Sequence, residues 1–590
     1  MKKSILGLIL FFLVFSMTSC SNSLPFVVEN VQEFGRSIFD LNKNDEDMTV
    51  IFFDDDNIVS SDGLSFERPK RQVSKTIGSS DCYMIKFGAI EILVDCGYQS
   101  ITSYGYVTSN YLYNDEYVRA EMQENLLKKI ATVISSDGIL DYLIVTHADY
   151  DHIAGLIATG GLFDCFLNHE IIEDMNGNSI KFEKINYIID FDSGLVKKFS
   201  DEALDKSSRL VRSDYYQAYV HQRYKLVENG TSYCPASAFF VENEDKGISK
   251  ENKEIGIPDA IKNRIEKAES TNSNFQYVLD ENYDNNVETI KNDYYKNEPI
   301  LNEELGALQS VNTVNDEKRY YYSIKFNDVE LRILYNWHYD YIFHSSFNRD
   351  WGDMDSTQST DPAENVYDSQ DANNISVCFE IVKNKFKFLS LGDLGGNGEN
   401  GLLKYYDGTN VLSNVSLFKV SHHGSIYNGE NSKKLFSTAK PKIIVITGCA
   451  IYKDPKWKTS EDDPVISAMV GRTKTNQQFF NNVAYAFKSK KNQPYIMCTN
   501  INSNRNDMGV PYFESNPFYG DIKIRYKGQK MYLSHSYIGP IDAYISQKWN
   551  SDYYHENHSE FNFSTRKNNK IISFQNTEWF KNIGFTYGGK

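Results

Sequence analysis

Four side chains able to bind a metal fall within six residues, in His147-Ala148-Asp149-Tyr150-Asp151-His152. Imidazole and carboxylate together suit zinc, manganese or iron. The run follows Leu140 to Val145, a short apolar segment that reads as a strand. A loop leaving a strand end can fan such side chains around two cations. Two later segments follow the same logic. Phe388-Leu389-Ser390-Leu391-Gly392-Asp393 is an apolar strand ending in Gly-Asp, where a carboxylate can bridge two metals. Phe418-Lys419-Val420-Ser421-His422-His423-Gly424-Ser425 is a strand followed by two histidines, a glycine and a serine. Adjacent histidines rarely both point at one metal. One is expected to ligate and the other to meet substrate or support the site; His422 is favoured as the ligand.

These motifs need strands to carry them. Ser80 to Phe87 and Glu91 to Asp95 read as strands separated by Gly88. Tyr117 to Ile134 reads as a helix, with Leu126, Leu127, Ile130 and Val133 on one face. Leu140 to Val145 completes a strand–helix–strand unit, the arrangement that yields parallel pairing. The His147 run stands at the carboxyl end of its last strand, where open α/β sheets place ligands. Further strands are predicted over 321–326, 330–335, 375–382, 386–391, 417–420, 443–446, 495–499 and 521–526. Residues 195–320 are rich in Lys, Glu, Asp, Asn and Ser and read as an insertion, partly helical over 259–270 and 284–296. The insertion is expected to pack near the site mouth and restrict access. Asp54-Asp55-Asp56 reads as a solvated loop.

In order and context, the three motifs resemble the metallo-β-lactamase superfamily. The usual first motif has His where Asp149 stands. The Asp form, with His-His-Gly-Ser, is similar to a narrower group that includes the soluble metal-hydrolase domain of the competence DNA-uptake protein ComEC. Thr146 before the motif, Ile153-Ala154-Gly155-Leu156 after it, Asp95-Cys96-Gly97, Asn373-Asn374-Ile375-Ser376 and Lys440-Pro441-Lys442-Ile443 extend the likeness. It covers roughly residues 75–190 and 320–535. The resemblance implies an αββα sandwich of the α/β class with a large mid-chain insertion. It implies two divalent metal ions, zinc first and manganese or iron as alternatives. His147 and Asp149 would face one ion, and Asp151, His152 and His422 the other, with Asp393 bridging. Asp151 would also position the nucleophile. His423 or Ser425 would serve the leaving group. Asp95 would orient the motif loop, and Asn374 and Ser376 would line the site. Many members supply a further His between the first motif and Gly-Asp. The candidates in this chain, His169, His221, His338 and His344, stand in no matching context.

The implied activity is hydrolysis of a phosphoric ester, most directly a diester. Nucleic acid, a phospholipid headgroup or a phosphorylated wall polymer are the substrates to weigh. A carbon-centred ester, thioester or lactam is the alternative on the same fold, and a non-catalytic binding lipoprotein is another. A formal net charge of −17 over 590 residues disfavours a general electrostatic grip on nucleic acid. Bound metal can still supply local positive charge for a phosphate.

The amino terminus reads as a targeting segment. Lys2 and Lys3 precede an apolar run from Ile5 to Phe15, and Met17-Thr18-Ser19-Cys20 resembles a bacterial lipobox. The likeness implies cleavage before Cys20, its lipidation, and membrane anchoring of an exported envelope lipoprotein. None of the eight cysteines forms a CxxC pair. Cys96, Cys378, Cys449 and Cys498 lie in apolar runs and read as buried free thiols. The resulting division is a leader over 1–19, an extension over 20–74, a first hydrolase half over 75–195, the insertion over 196–320, a second half over 321–535 and a C-terminal extension over 536–590.

Overall fold

The computed structural model describes residues 28–32, 47–54, 81–97, 116–191, 219–240, 306–336, 372–453, 464–467, 494–502 and 518–535, apart from single positions within these ranges, and a few short pieces elsewhere. The leader, Cys20, the helices expected over 259–270 and 284–296, and His221, His338 and His344 lie outside the described residues, as does nearly all of 536–590. Among the described residues, no helix is long and apolar enough to cross a membrane.

Two large sheets carry the structure. In chain order their strands are β1 (Val28–Gln32), β2 (Met48–Phe52), β3 (Tyr83–Phe87), β4 (Ile90–Val94), β5 (Ile139–Val145), β6 (Lys184–Asp190), β7 (Ser232–Pro235), β8 (Ala307–Asn312), β9 (Lys318–Phe326) and β10 (Val329–Leu334). They continue with β11 (Phe379–Lys383), β12 (Phe386–Ser390), β13 (Leu417–Lys419), β14 (Ile443–Ile446), β15 (Tyr495–Cys498), β16 (Ile522–Lys527) and β17 (Lys530–His535). The first sheet has the order β1-β17-β16-β2-β3-β4-β5-β6-β7, and the second runs β8 to β15 in sequence order. Each sheet mixes the two pairings. In the first, β16, β2, β3 and β4 pair antiparallel while β4 to β7 run parallel. In the second, β8 to β12 form an antiparallel meander and β12 to β15 run parallel. The class is therefore mixed α/β.

The pairing follows from composition. Strands buried on both faces are continuous apolar runs, such as Ile443-Ile444-Val445-Ile446 in β14. Strand β9, nearer an edge, carries Lys318, Arg319 and Lys325 and is partly exposed. The sheets meet face to face through aromatic side chains. Phe388 of β12 lies edge-on to Phe52 and Tyr83, with ring centroids 6.1 and 5.9 Å away. Phe326 packs on Phe87 at 5.3 Å. The Tyr83 hydroxyl and Ser390 Oγ share a hydrogen bond of 2.7 Å across the same interface.

Helices fasten to the sheets. Lys129, in α1 (Glu116–Val133), is fully buried, donates to the Asp54 carbonyl at 2.6 Å and pairs with Asp521 at 2.9 Å. Asp54 is thereby buried, not solvated as its acidic neighbours suggested; its backbone N–H also donates to Asp521. Residues 150–157 form α2 (Tyr150–Ile157), directly after the first motif.

The expected divisions shift in three places. Strand β2 sits inside the first sheet, so that sheet begins well before residue 75. The stretch 196–320 is not set apart, because β7 extends the first sheet, and β8 and the start of β9 belong to the second. The last two strands, β16 and β17, cross back to complete the first sheet, so the second half contributes to both. Strand β2 is an apolar run buried throughout in the interior of its sheet, whereas β8 is a partly exposed edge strand that needs no apolar run to pair. Replacing Phe388 with Ala should cost about 3–5 kcal/mol of stability, measured as a lower urea midpoint; an unchanged midpoint would show that the sheets do not depend on this contact.

Candidate metal centre

Parallel strands of both sheets end at one place. The chain leaves β4 at Asp95, β5 at Thr146-His147, β12 just before Gly392-Asp393, β13 just before His422-His423 and β14 at Thr447. Four groups of buried or half-buried ligand atoms form there, each group within 4.8 Å: His147, His152 and Asp393; Asp151, His152 and His423; Asp81, Asp393 and His423; and Asp81, Asp95 and His152. Such groups could hold a metal ion.

The tightest convergence is on Asp393 Oδ2. His152 Nε2 lies 3.2 Å from it and His423 Nε2 3.3 Å. Asp151 Oδ2 lies 3.1 Å from His423 Nε2. Ligand atoms about 2.0–2.2 Å from a tetrahedral zinc stand about 3.3–3.6 Å apart, so this donor set fits a cation of that size. On the other side, His147 Nε2 is buried with no hydrogen-bond partner and lies 3.8 Å from Asp149 Oδ2.

The far nitrogen of each ring is engaged, which leaves Nε2 facing the centre. His152 Nδ1 lies 2.8 Å from Asp95 Oδ2. His423 Nδ1 donates to the Thr447 carbonyl at 2.9 Å. His147 Nδ1 lies 3.2 Å from Thr146 Oγ1, whose own proton goes to Asp95 Oδ2 at 2.6 Å. A ring that donates from Nδ1 keeps its Nε2 lone pair for a metal. Asp95 also accepts from the Thr146 backbone N–H at 2.7 Å. One buried carboxylate therefore orients both the first motif's threonine and its second histidine.

Backbone contacts hold the motif loop. Asp81 N–H donates to the Asp151 carbonyl at 3.0 Å, Cys96 N–H to His152 at 2.8 Å and Gly155 N–H to Cys96 at 2.7 Å. The approach is so close at Gly97 that a Cβ there would lie 1.6 Å from the Asp151 carbonyl oxygen. Gly392 has φ +57°, and a Cβ on it would press on Thr146 and Ser376. Only glycine meets both demands.

The turn carrying the paired histidines is held in an unusual conformation. His422 and His423 both have left-handed backbone angles, at φ 48° and 49°. Two such residues in succession cost energy that neighbours must offset. Asn431 supplies much of this, donating to the Ser421 and Ser425 carbonyls at 2.7 and 2.6 Å. Its own N–H donates to Glu399 at 2.6 Å. Burial pushes Glu399 up to about 7.

This turn points the two rings apart and reverses the expected assignment. His423, not His422, joins Asp151 and Asp393. His422 belongs to none of the four ligand groups; its Nδ1 meets Glu430 at 3.1 Å and its Nε2 lies 3.3 Å from the Asn373 amide. Three further expectations are refined. Asn374 accepts from Gly398 N–H at 3.0 Å, at the start of the helix Gly396–Tyr405. Ser376 Oγ accepts from Asp393 N–H at 3.1 Å and so holds the bridging candidate's backbone. Ser425 is buried, its carbonyl accepts from Asn431 and its hydroxyl bonds the Glu430 carboxylate, so its side chain supports the turn. His169 is half exposed and beside Glu183, away from the centre.

Sequence reading missed Asp81, Lys419, Thr447, Glu430 and Asn431. Asp81 is fully buried and accepts from Thr447 Oγ1. Lys419 had one legible signal, a lysine inside an apolar strand.

Electrostatics follow from this crowding. Burial alone would lower His423, but Asp393 and Asp81 push it up to about 10. His152 is likewise raised well above the ordinary imidazole value, against its burial, by Asp393, Asp81 and Asp95. Asp393 is held well below the carboxylate range despite burial, by His152, His423 and Lys419.

No protein-family model matches the chain, and no curated protein matches it.

The metal-free site thus holds protons on His152 and His423 near neutrality, and a metal must displace them. Zinc affinity should rise roughly tenfold per pH unit for each proton released between pH 6 and 8, read by equilibrium dialysis; affinity flat with pH would contradict the assignment. Asp95→Asn should weaken zinc binding by roughly 10–100-fold in the same assay.

Proposed function

We propose that this chain is a metallo-β-lactamase-like hydrolase that cleaves phosphoric diesters with two divalent ions, zinc first. The observation that carries this reading is the meeting of His152 Nε2, His423 Nε2, Asp151 and Asp393 Oδ2, with the outer imidazole nitrogens engaged elsewhere. Two face-to-face mixed sheets whose strand ends share one loop cluster agree with the superfamily likeness of the motifs. His147 and Asp149 would take the first ion, Asp151, His152 and His423 the second, and Asp393 both. Ions held there would supply an acidified water and positive charge for the developing oxyanion.

The chain's own groups do the rest. Asp151, on the first turn of α2 and part exposed, can orient a nucleophilic water. His422 stands beside the centre, and its Nδ1 is held by the buried Glu430 carboxylate. Although burial opposes it, Glu430 and Asp393 raise His422 to about 9, so its imidazole carries positive charge and a proton at neutral pH. That suits a phosphate oxygen and a departing alkoxide. Lipidation at Cys20 would hold the activity at the cell envelope, where nucleic acid, phospholipid headgroups and phosphorylated wall polymers are the candidate substrates.

Turnover of bis(p-nitrophenyl) phosphate by zinc- or manganese-loaded protein tests the proposal, with p-nitrophenyl acetate and a chromogenic lactam alongside. Preference for the diester is expected. Preference for acetate or lactam would favour the carbon-ester alternative, and metal retention without turnover would favour a binding role. His423→Ala should lose bound metal and all turnover. His422→Ala should keep its metal while kcat falls roughly a hundredfold or more; the opposite pattern would return His422 to the ligand set.

A further inference from the structure

Lys419 brings a permanent charge into the same cluster. It ends β13, three residues before His422, and its side chain is fully buried. Its ammonium pairs with Asp81, lies 3.3 Å from Asp393 Oδ1 and donates to the Gly392 carbonyl at 3.1 Å. An ammonium has three protons, and these three acceptors use them. Lys419 therefore has none left for a substrate or a leaving group.

The carboxylates nearby are Asp81, Asp95, Asp149, Asp151 and Asp393. Among the described residues, Lys419 is the one lysine or arginine paired with any of them. Removing one partner from a buried ion pair leaves an uncompensated charge. The division of Asp393 is informative. Oδ1 faces Lys419, while Oδ2 faces His152 and His423. Lys419 and a divalent ion held by the histidines would thus address opposite oxygens of one carboxylate. Both being positive and close in a buried setting, they repel.

We infer that Lys419 is the cation of the metal-free site that a metal does not displace, unlike the protons on His152 and His423: a positioning residue that holds Asp81 and Asp393 together before a metal arrives and reduces the affinity with which the metal then binds. The inference rests on the metal-centre reading above. It also explains how strands from two sheets can close around so much negative charge during folding, when no ion is yet bound. The lysine sets the position of Asp393, and the metal then finds Oδ2 already aimed.

The test compares wild-type protein, Lys419→Met, and Lys419→Met combined with Asp81→Asn, which restores the charge balance. Each is measured by thermal unfolding after chelation and again with zinc, and by equilibrium dialysis for zinc affinity. Lys419→Met should lower the metal-free midpoint by several degrees and bind zinc about tenfold more tightly or better, so zinc should raise its midpoint more than it raises that of wild type. The double variant should recover the metal-free midpoint. An unchanged metal-free midpoint, or weaker zinc binding in Lys419→Met, overturns the inference. If Lys419→Met does not fold, a folded double variant supports the inference and an unfolded one overturns it. Zinc binding by wild type decides the metal-centre reading separately, because the inference is read only from differences between variants.

Discussion

Carboxylates cannot be buried together without positive charge, and the whole arrangement at the strand ends answers that constraint. Asp81, Asp95 and Asp393 are almost wholly withdrawn from solvent, with Asp149 and Asp151 at their rim. An isolated buried carboxylate is expensive unless it is paired and hydrogen-bonded. Here each has a partner: Asp95 holds Thr146 and His152, Asp81 holds Lys419 and Thr447, and Asp393 holds Lys419 between the two inward-facing histidines. The same pairings that make the cluster tolerable also aim the imidazole nitrogens inward. Folding stability and readiness for a cation thus share one set of contacts.

The two-sheet architecture makes that set possible. A single sheet would supply ligands along one line of strand ends. Packing a second sheet against the first, through Phe388, Phe52 and Tyr83, brings β12, β13 and β14 opposite β4 and β5. Ligands from the first motif then face Asp393 and His423 across the join. The supports are local and numerous: Gly97 admits the Asp151 carbonyl, Ser376 holds Asp393, and Asn431 with Glu399 holds the left-handed turn at His422-His423. That turn separates two neighbouring imidazoles, giving one to the cluster and the other to Glu430. Consecutive residues thus serve different places, one in the candidate metal cluster and one on Glu430, because the backbone between them is bent in a way few residues accept.

Much of this was legible beforehand, and the failures are physically instructive. Apolar runs such as Ile443–Ile446 announced themselves, and so did strand–helix–strand order before the first motif. Edge and crossover strands such as β1, β7 and β17 did not, because they gain their place from pairing with segments distant in the chain. Asp54 read as solvated because its acidic neighbours dominate the local composition, whereas its burial depends on Lys129 and Asp521, far away in the chain.

By itself the sequence determined the donor types, their placement at strand ends and the α/β class, since residue chemistry and hydrophobic period are local properties. Tertiary structure alone decided that His423 rather than His422 enters the cluster, that Asp81 and Lys419 belong to it, and that Asn431 and Glu399 support it. Those facts depend on backbone dihedrals at one turn and on contacts between residues hundreds of positions apart, such as Asp81 and Thr447. No window of sequence contains them, because the free energy that selects them arises only when the two sheets close and the buried charges must find one another.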